Sequence, residues 1–242
     1  LRAIALVQKL AWTLKDANHD YKTAEVAVFP PFTDIRSVQN LVDADKLEVK
    51  YGAQDISMHD SGAYTGEISG VFLKALGAAY VIIGHSERRQ YHGENDEIVG
   101  NKVKAALKHD VVPVLCVGES EAELEEFGPS AVPVAQLKAA LEGVSADADI
   151  VVAYEPVWAI GTGKVATEEQ AEQVCAALRA ALVETLGSAG AERTRILYGG
   201  SVKANNIAGF MRQPNIDGAL VGGASLDVAE FSSIARFQKH VI

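Results

Sequence analysis

The chain has 242 residues, of which 48% are hydrophobic and 22% charged, and its formal net charge is −10. That balance fits a globular chain and excludes disorder, collagen and a disulfide-stapled miniprotein. It argues against wrapping nucleic acid or coating an anionic membrane, since a surface of that sign repels phosphate. Cys116 and Cys175 form neither a CxxC motif nor a disulfide framework, which suits a reducing, cytoplasmic setting. No apolar run approaches the ~20 residues that span a bilayer.

In chain order, the first predicted element is a helix, Leu1–Asp16, with Leu1, Ile4, Val7, Leu10 and Leu14 at helical spacing. No capping residue precedes it, and the expectation is that further chain lies upstream. Short β-branched runs then predict strands at Glu25–Phe29, Leu47–Gly52, Tyr80–Gly84, Val111–Val117, Ile150–Tyr154, Arg195–Tyr198 and Gly218–Val221. Between and after them, helices are predicted at Thr33–Val42, Glu67–Leu76, Asn95–His109, a broken stretch Ser120–Leu141, Thr167–Leu186, Lys203–Arg212 and Asp227–His240. Thr33 before Asp34 reads as a start signal, and Thr167 with Gln170 has the spacing of a capping box. The acidic run Glu119–Glu126 reads as a solvated helix face.

Strands alternating with helices imply a parallel sheet covered by helices. An open doubly wound sheet usually has five or six strands and a closed barrel has eight. Seven strands in a series that opens on a helix therefore point to a (β/α)8 barrel of one domain, residues 1–242, whose first strand is missing from this sequence. In such folds ligands bind beyond the carboxyl ends of the strands. Those ends run into Gly84-His85-Ser86-Glu87-Arg88-Arg89, Glu155-Pro156, Gly199-Gly200-Ser201 and Gly222-Gly223-Ala224-Ser225. Glycine pairs let backbone N–H groups approach an anion closely, so the last two turns are candidates for holding phosphate. As bare tight turns they would need no ligand.

His85 and Glu155 form a candidate acid–base pair. A carboxylate between apolar walls can be pushed toward neutrality and a histidine at a helix start held neutral. The competing reading is a surface histidine and a strand-end glutamate tied to Arg88 or Arg89. The histidines show no HxxxH or HExxH spacing, so no metal site is expected. Gly161-Thr162-Gly163-Lys164-Val165-Ala166 fits GxGxxA but lies too far past its strand for a dinucleotide turn. Pro156–Lys164 reads instead as a lid: a stiff start, an aromatic anchor in Trp158 and a glycine-rich end.

The blocks Gly84–Arg89, Ala153–Gly163, Tyr198–Ser201 and Leu220–Leu226 together resemble the triosephosphate isomerase family closely. The resemblance covers the whole chain and implies the TIM barrel and interconversion of triose phosphates through an enediolate, without cofactor or metal. It implies Glu155 as the base, His85 as the group polarising the carbonyl, and Glu87 as a carboxylate behind it. It implies Gly161, Ser201, Gly222 and Gly223 as the phosphate-binding residues. It also implies a homodimer in which Gly62-Ala63-Tyr64-Thr65-Gly66-Glu67 inserts into a neighbouring subunit, with Gln54 and Thr65 near the interface. The family's first strand ends in an Asn-x-Lys loop, and no such block precedes the first helix here. Arg2 and Lys9 lie in that helix and are not assigned the lysine's role. The expectation is that a leading strand bearing it precedes residue 1 in the natural enzyme. Two alternatives stay open: another aldose–ketose isomerisation on a phosphate-binding barrel, and a catalytically dead barrel acting as a binding protein.

Overall fold

The computed structural model describes residues 2–240; Leu1, the first residue of the predicted opening helix, lies outside them. Helix α1 (Arg2–Asp16) leads into strand β1 (Ala27–Val28), a short 3-10 turn and helix α2 (Ile35–Asp45). Then follow β2 (Lys50–Ala53), α3 (Gly70–Ala75), β3 (Tyr80–Ile83), α4 (Ser86–His92) and α5 (Asp96–Lys108). Next are β4 (Val112–Val117), α6 (Glu121–Phe127), α7 (Ala131–Ala140), β5 (Val151–Tyr154) and α8 (Glu168–Arg193). The chain continues with β6 (Arg195–Tyr198), α9 (Ile207–Phe210), β7 (Gly218–Ala219), a 3-10 turn at Gly223–Leu226 and α10 (Val228–Ala235).

The seven strands pair in sequence order and every pair is parallel. Both faces of the sheet are apolar, as a parallel sheet between two packed layers requires. Because side chains alternate along a strand, each strand is divided between the layers. Val81, Ile83, Leu115, Val117, Val152 and Tyr154 point outward under the helices. Ile82, Val114, Cys116, Val151 and Ala153 point inward against one another.

The sheet is curled into a barrel wall. Laid flat at ~4.8 Å per strand, β1 and β6 would stand roughly 24 Å apart. Instead Glu25, just before β1, lies 3.4 Å from Arg195 of β6, and both bond to Tyr80 of β3. The outer layer closes too, as Leu10, Ala11 and Leu14 of α1 share a cluster with Val228, Phe231 and Ala235 of α10.

Several elements differ from the sequence reading. Thr33 caps no helix; it sits inside the 3-10 turn Phe32–Asp34, and α2 begins at Ile35. The helix predicted at Lys203–Arg212 shrinks to α9, because the Asn206 side chain accepts the Lys203 N–H and holds the approach as a turn. The capping box at Thr167 is present in full, with bonds to and from Gln170. Among the described residues the segment Glu168–Arg193 is long and apolar enough, by length and composition, to cross a membrane, although Gly187, with φ 74, breaks it just after the predicted end at Leu186. The sequence reading found no such segment. In this fold Val174, Cys175, Leu178, Leu182 and Leu186 of α8 are buried in the core.

Candidate active site

Residues from four strand ends line one cavity, and after β3 and β4 glycine makes the close approach possible. After β3, Gly84 turns with φ +72, a conformation that favours glycine. His85 follows as the N-cap of α4. Beyond β4, a Cβ on Gly118 would stand 1.9 Å from the Glu155 carbonyl oxygen, so only glycine lets the two chains lie this close. The Glu155 N–H in turn donates to the Val117 carbonyl at 2.8 Å. Glu155 is thereby fixed against β4 as well as by its own strand.

Glu155 is 2% exposed. Its Oε1 lies 3.0 Å from His85 Nε2, and its Oε2 accepts the Ser86 backbone N–H at 2.9 Å. The Ser86 hydroxyl donates to Oε1 at 3.1 Å. That N–H is one of the first-turn donors a helix leaves unused, so the start of α4 is a natural seat for a carboxylate. The competing reading fails, since Arg88 pairs with Asp55 and Glu94 while Arg89 pairs with Asp96. Arg89 also donates to the Gly84 carbonyl at 3.0 Å, which fixes the turn just before His85.

The Glu87 N–H donates to His85 Nδ1 at 3.3 Å, which leaves the proton on Nε2, facing Glu155. Burial pulls the His85 pKa down, but the hydrogen bond and charge of Glu155, with Glu87 adding, outweigh it and hold it above the ordinary value. The Glu87 side chain is exposed and stands 3.8 Å from Nδ1, so in this conformation its backbone, not its carboxylate, makes the close contact.

His85, Glu87, Glu155, Gly161, Ser201, Gly222 and Gly223 all line one cavity of about 2250 Å³, which continues down between β1 and β7. Among the described residues no acceptor pairs with the backbone N–H of Gly161, Ser201 or Gly222. Gly223 opens a 3-10 turn, whose first N–H has no acceptor within the turn. These free donors suit an anion.

The acidic run Glu119–Glu126 is not one solvated face. Glu119 precedes α6 and is fully buried, and its Oε1 accepts from Tyr154 Oη and Trp158 Nε1, each at 2.8 Å. Burial pushes its pKa up to about 7 despite those two bonds, while its Oε2 has no partner. Sequence reasoning gave no role to Ser86, Gly118 or Glu119. Ser86 had a signal only in its place directly after His85; the other two had none without the packing.

The family model described as triosephosphate isomerase matches residues 2–238. The chain belongs to the triosephosphate isomerase family. A relative of that name from Leifsonia xyli is 68% identical over 242 residues, covering 100% of this chain and 93% of the relative. One from Streptomyces avermitilis is 59% identical, covering 98% and 92%, and one from Mycobacterium avium is 53% identical, covering 96% and 89%. The chain is thus an isomerase of triose phosphates, interconverting glyceraldehyde 3-phosphate and dihydroxyacetone phosphate in glycolysis. Its curled parallel sheet with flanking helices is the TIM barrel architecture.

Proposed function

We propose that Glu155 is the base of this isomerisation and His85 the group that polarises the carbonyl. Glu155 takes the proton from the carbon beside the carbonyl, the C–H electron pair becomes the C=C bond, the carbonyl π pair moves to oxygen, and an enediolate forms. The His85 Nε2–H bonds the developing oxyanion and carries a proton between the two oxygens. Glu155 then returns its proton to the neighbouring carbon. The observation that carries this reading is the buried Glu155 carboxylate, 3.0 Å from His85 Nε2 in a cavity also lined by free backbone donors.

In the structure Glu155 occupies the same His85 N–H that a substrate carbonyl would take. Substrate therefore displaces the carboxylate from His85 and frees it to reach carbon. Once Glu155 turns away, the causes that raise the His85 pKa weaken while burial remains. The imidazole then acts as a neutral hydrogen-bond donor. Gly161, Ser201, Gly222 and Gly223 hold the phosphate through N–H groups, and Glu87 stands behind His85. Closure of the lid Pro156–Lys164 excludes water, which strengthens each of these contacts.

The test is Glu155→Gln, which keeps shape and hydrogen-bonding capacity but has no basic oxygen. Turnover should drop by about 10²–10⁴-fold while a phosphate-bearing analogue still binds, since a general base contributes on that order. Unchanged turnover would remove Glu155 from the role.

The homodimer belongs to the same reading. Residues 61–67 are all solvent-exposed, and Tyr64 within them stacks on His59 with ring centres 3.7 Å apart. Tyr64 and, just before the loop, Met58 are large apolar groups left exposed. This supports Gly62–Glu67 as a stiffened docking loop, with Gln54 and Thr65 near the interface of a cytoplasmic dimer. Tyr64→Asp should shift sedimentation toward monomer; a variant as dimeric as the parent would take the loop out of the interface.

A further inference from the structure

The two ends of the lid are held by one short segment. At the amino-terminal end, Trp158 Nε1 donates to Glu119 at 2.8 Å. At the other end, Lys164 Nζ is ion-paired with Glu121. The segment between the two carboxylates is rigid, because Ser120 forms the capping box of α6. Its N–H donates to Glu123 Oε2 at 2.8 Å and its hydroxyl accepts the Glu123 N–H. The lid is itself a unit, since the Thr162 hydroxyl donates to the Ala159 carbonyl at 3.0 Å and accepts the Lys164 N–H at 3.2 Å. Gly161 and Gly163, with φ +73 and +81, provide the turn between these bonds. A pull on Lys164 is therefore transmitted to the whole lid.

The lid is open in this arrangement. Residues 160–165 are exposed, and Glu155 is bonded to Ser86 and not turned toward substrate. We propose that Glu121 is a positioning residue for the lid: through its pair with Lys164 it holds the open state and sets how readily the lid closes over bound phosphate. This rests on the lid reading given above. Glu121 touches neither His85 nor Glu155, and both it and Lys164 are more than half exposed. The latch is accordingly a weak one, able to shift an equilibrium by about two- to fivefold. It is also sensitive to salt, because exposed charges are screened over ~10 Å at 0.1 M ionic strength.

The experiment uses the full chain carrying Trp12→Phe, which leaves Trp158, inside the lid, as the single tryptophan. The probe is 2-phosphoglycolate, whose phosphate and carboxylate resemble the charge of a phosphorylated enediolate. In the parent, binding should change the Trp158 emission as the lid closes. In Glu121→Gln at low salt the same change should occur at about two- to fivefold lower ligand concentration, and KM should fall in step without a rise in kcat. The difference should vanish near 1 M salt, where the Debye length is ~3 Å. Lys164→Gln breaks the pair from the other side and should act alike, and the exchange Glu121→Lys with Lys164→Glu should restore the parental affinity. Unchanged or weaker binding in both Gln variants, with the Trp158 signal intact, overturns the latch alone. A parent whose Trp158 emission ignores the ligand overturns the lid reading beneath it.

Discussion

Gly118→Ala asks whether the position of Glu155 is dictated by the strand ends. The added Cβ would stand 1.9 Å from the Glu155 carbonyl oxygen, 2.9 Å from its carbonyl carbon and 3.2 Å from its Cβ. An ordinary contact needs about 3.4 Å, so the end of β5 must retreat by roughly 1–1.5 Å. The obstacle is backbone, not the free end of a side chain, and the retreat carries Glu155 with it. A shift of ~1 Å in a reacting group costs on the order of 10²-fold in rate, and overpacking adds ~1–3 kcal/mol of destabilisation. A coupled isomerase assay should therefore show kcat down by about 10²-fold. Binding of a phosphate-bearing analogue, which depends on donors after β6 and β7 and in the lid, should change little. Gly100→Ala is the control. It is a helical position whose added Cβ meets nothing nearer than 3.5 Å, and it should be neutral or stabilise by ~0.5–1 kcal/mol. If Gly118→Ala retains kcat within threefold, the β4–β5 contact does not fix Glu155 and the geometric argument fails.

Two further outcomes follow from buried charge. Glu119 has a folded pKa of about 7 against an ordinary value of 4.5, so the native state keeps a proton that the unfolded chain loses between those values. Stability then falls as pH rises from 4.5 to about 7 and levels off above, by up to about 3 kcal/mol at ~1.4 kcal/mol per unit. Glu119→Gln should flatten that part of the urea-midpoint profile between pH 5 and 8, and an unaltered slope would exclude Glu119 as its source. Lys102 is 6% exposed and pairs with both Asp55 and Glu94, at 2.7 and 2.5 Å. Lys102→Met leaves the buried Glu94 and the half-buried Asp55 sharing Arg88 and should cost about 3–5 kcal/mol in urea unfolding; a loss under about 1 kcal/mol would mean that water already serves the cluster.

What was legible in the sequence was whatever buries apolar surface with a period. Arg195–Tyr198 is the predicted strand without change, and the other strands move by only a few residues. Helix α4 was not legible, because Ser86-Glu87-Arg88-Arg89-Gln90-Tyr91-His92 has no apolar stripe. It is made helical by its ends and its charges: the His85 cap, the left-handed Gly93 at φ 66, and the pairs of Arg88 and Arg89 with Glu94 and Asp96. Glu119 was misread for a related reason. In a run of glutamates nothing local distinguishes the one that turns inward, since Tyr154 and Trp158 reach it from 35 and 39 residues away. His85 and Glu155 were legible as strand-end residues, but their contact was not. They are 70 positions apart in number and 3.0 Å apart in space only because β3, β4 and β5 are neighbours in the sheet.

The hydrogen bonds at Glu155 also explain why a carboxylate can be both buried and mobile. A buried charge is tolerated only when paired, and the cost of breaking its pairs ordinarily freezes it in place. Glu155 is held by three donors, His85 Nε2, the Ser86 N–H and the Ser86 hydroxyl, all at the start of α4. A substrate that places its carbonyl on His85 takes one of those donors for itself. It also brings an acidic C–H to the site. The carboxylate then exchanges one set of partners for another at little net cost, provided the lid has already excluded water that would solvate it midway. On this account the resting bonds to Ser86 hold Glu155 out of water and near its proposed target. Closing the lid and releasing the base are linked because both depend on the same bound substrate.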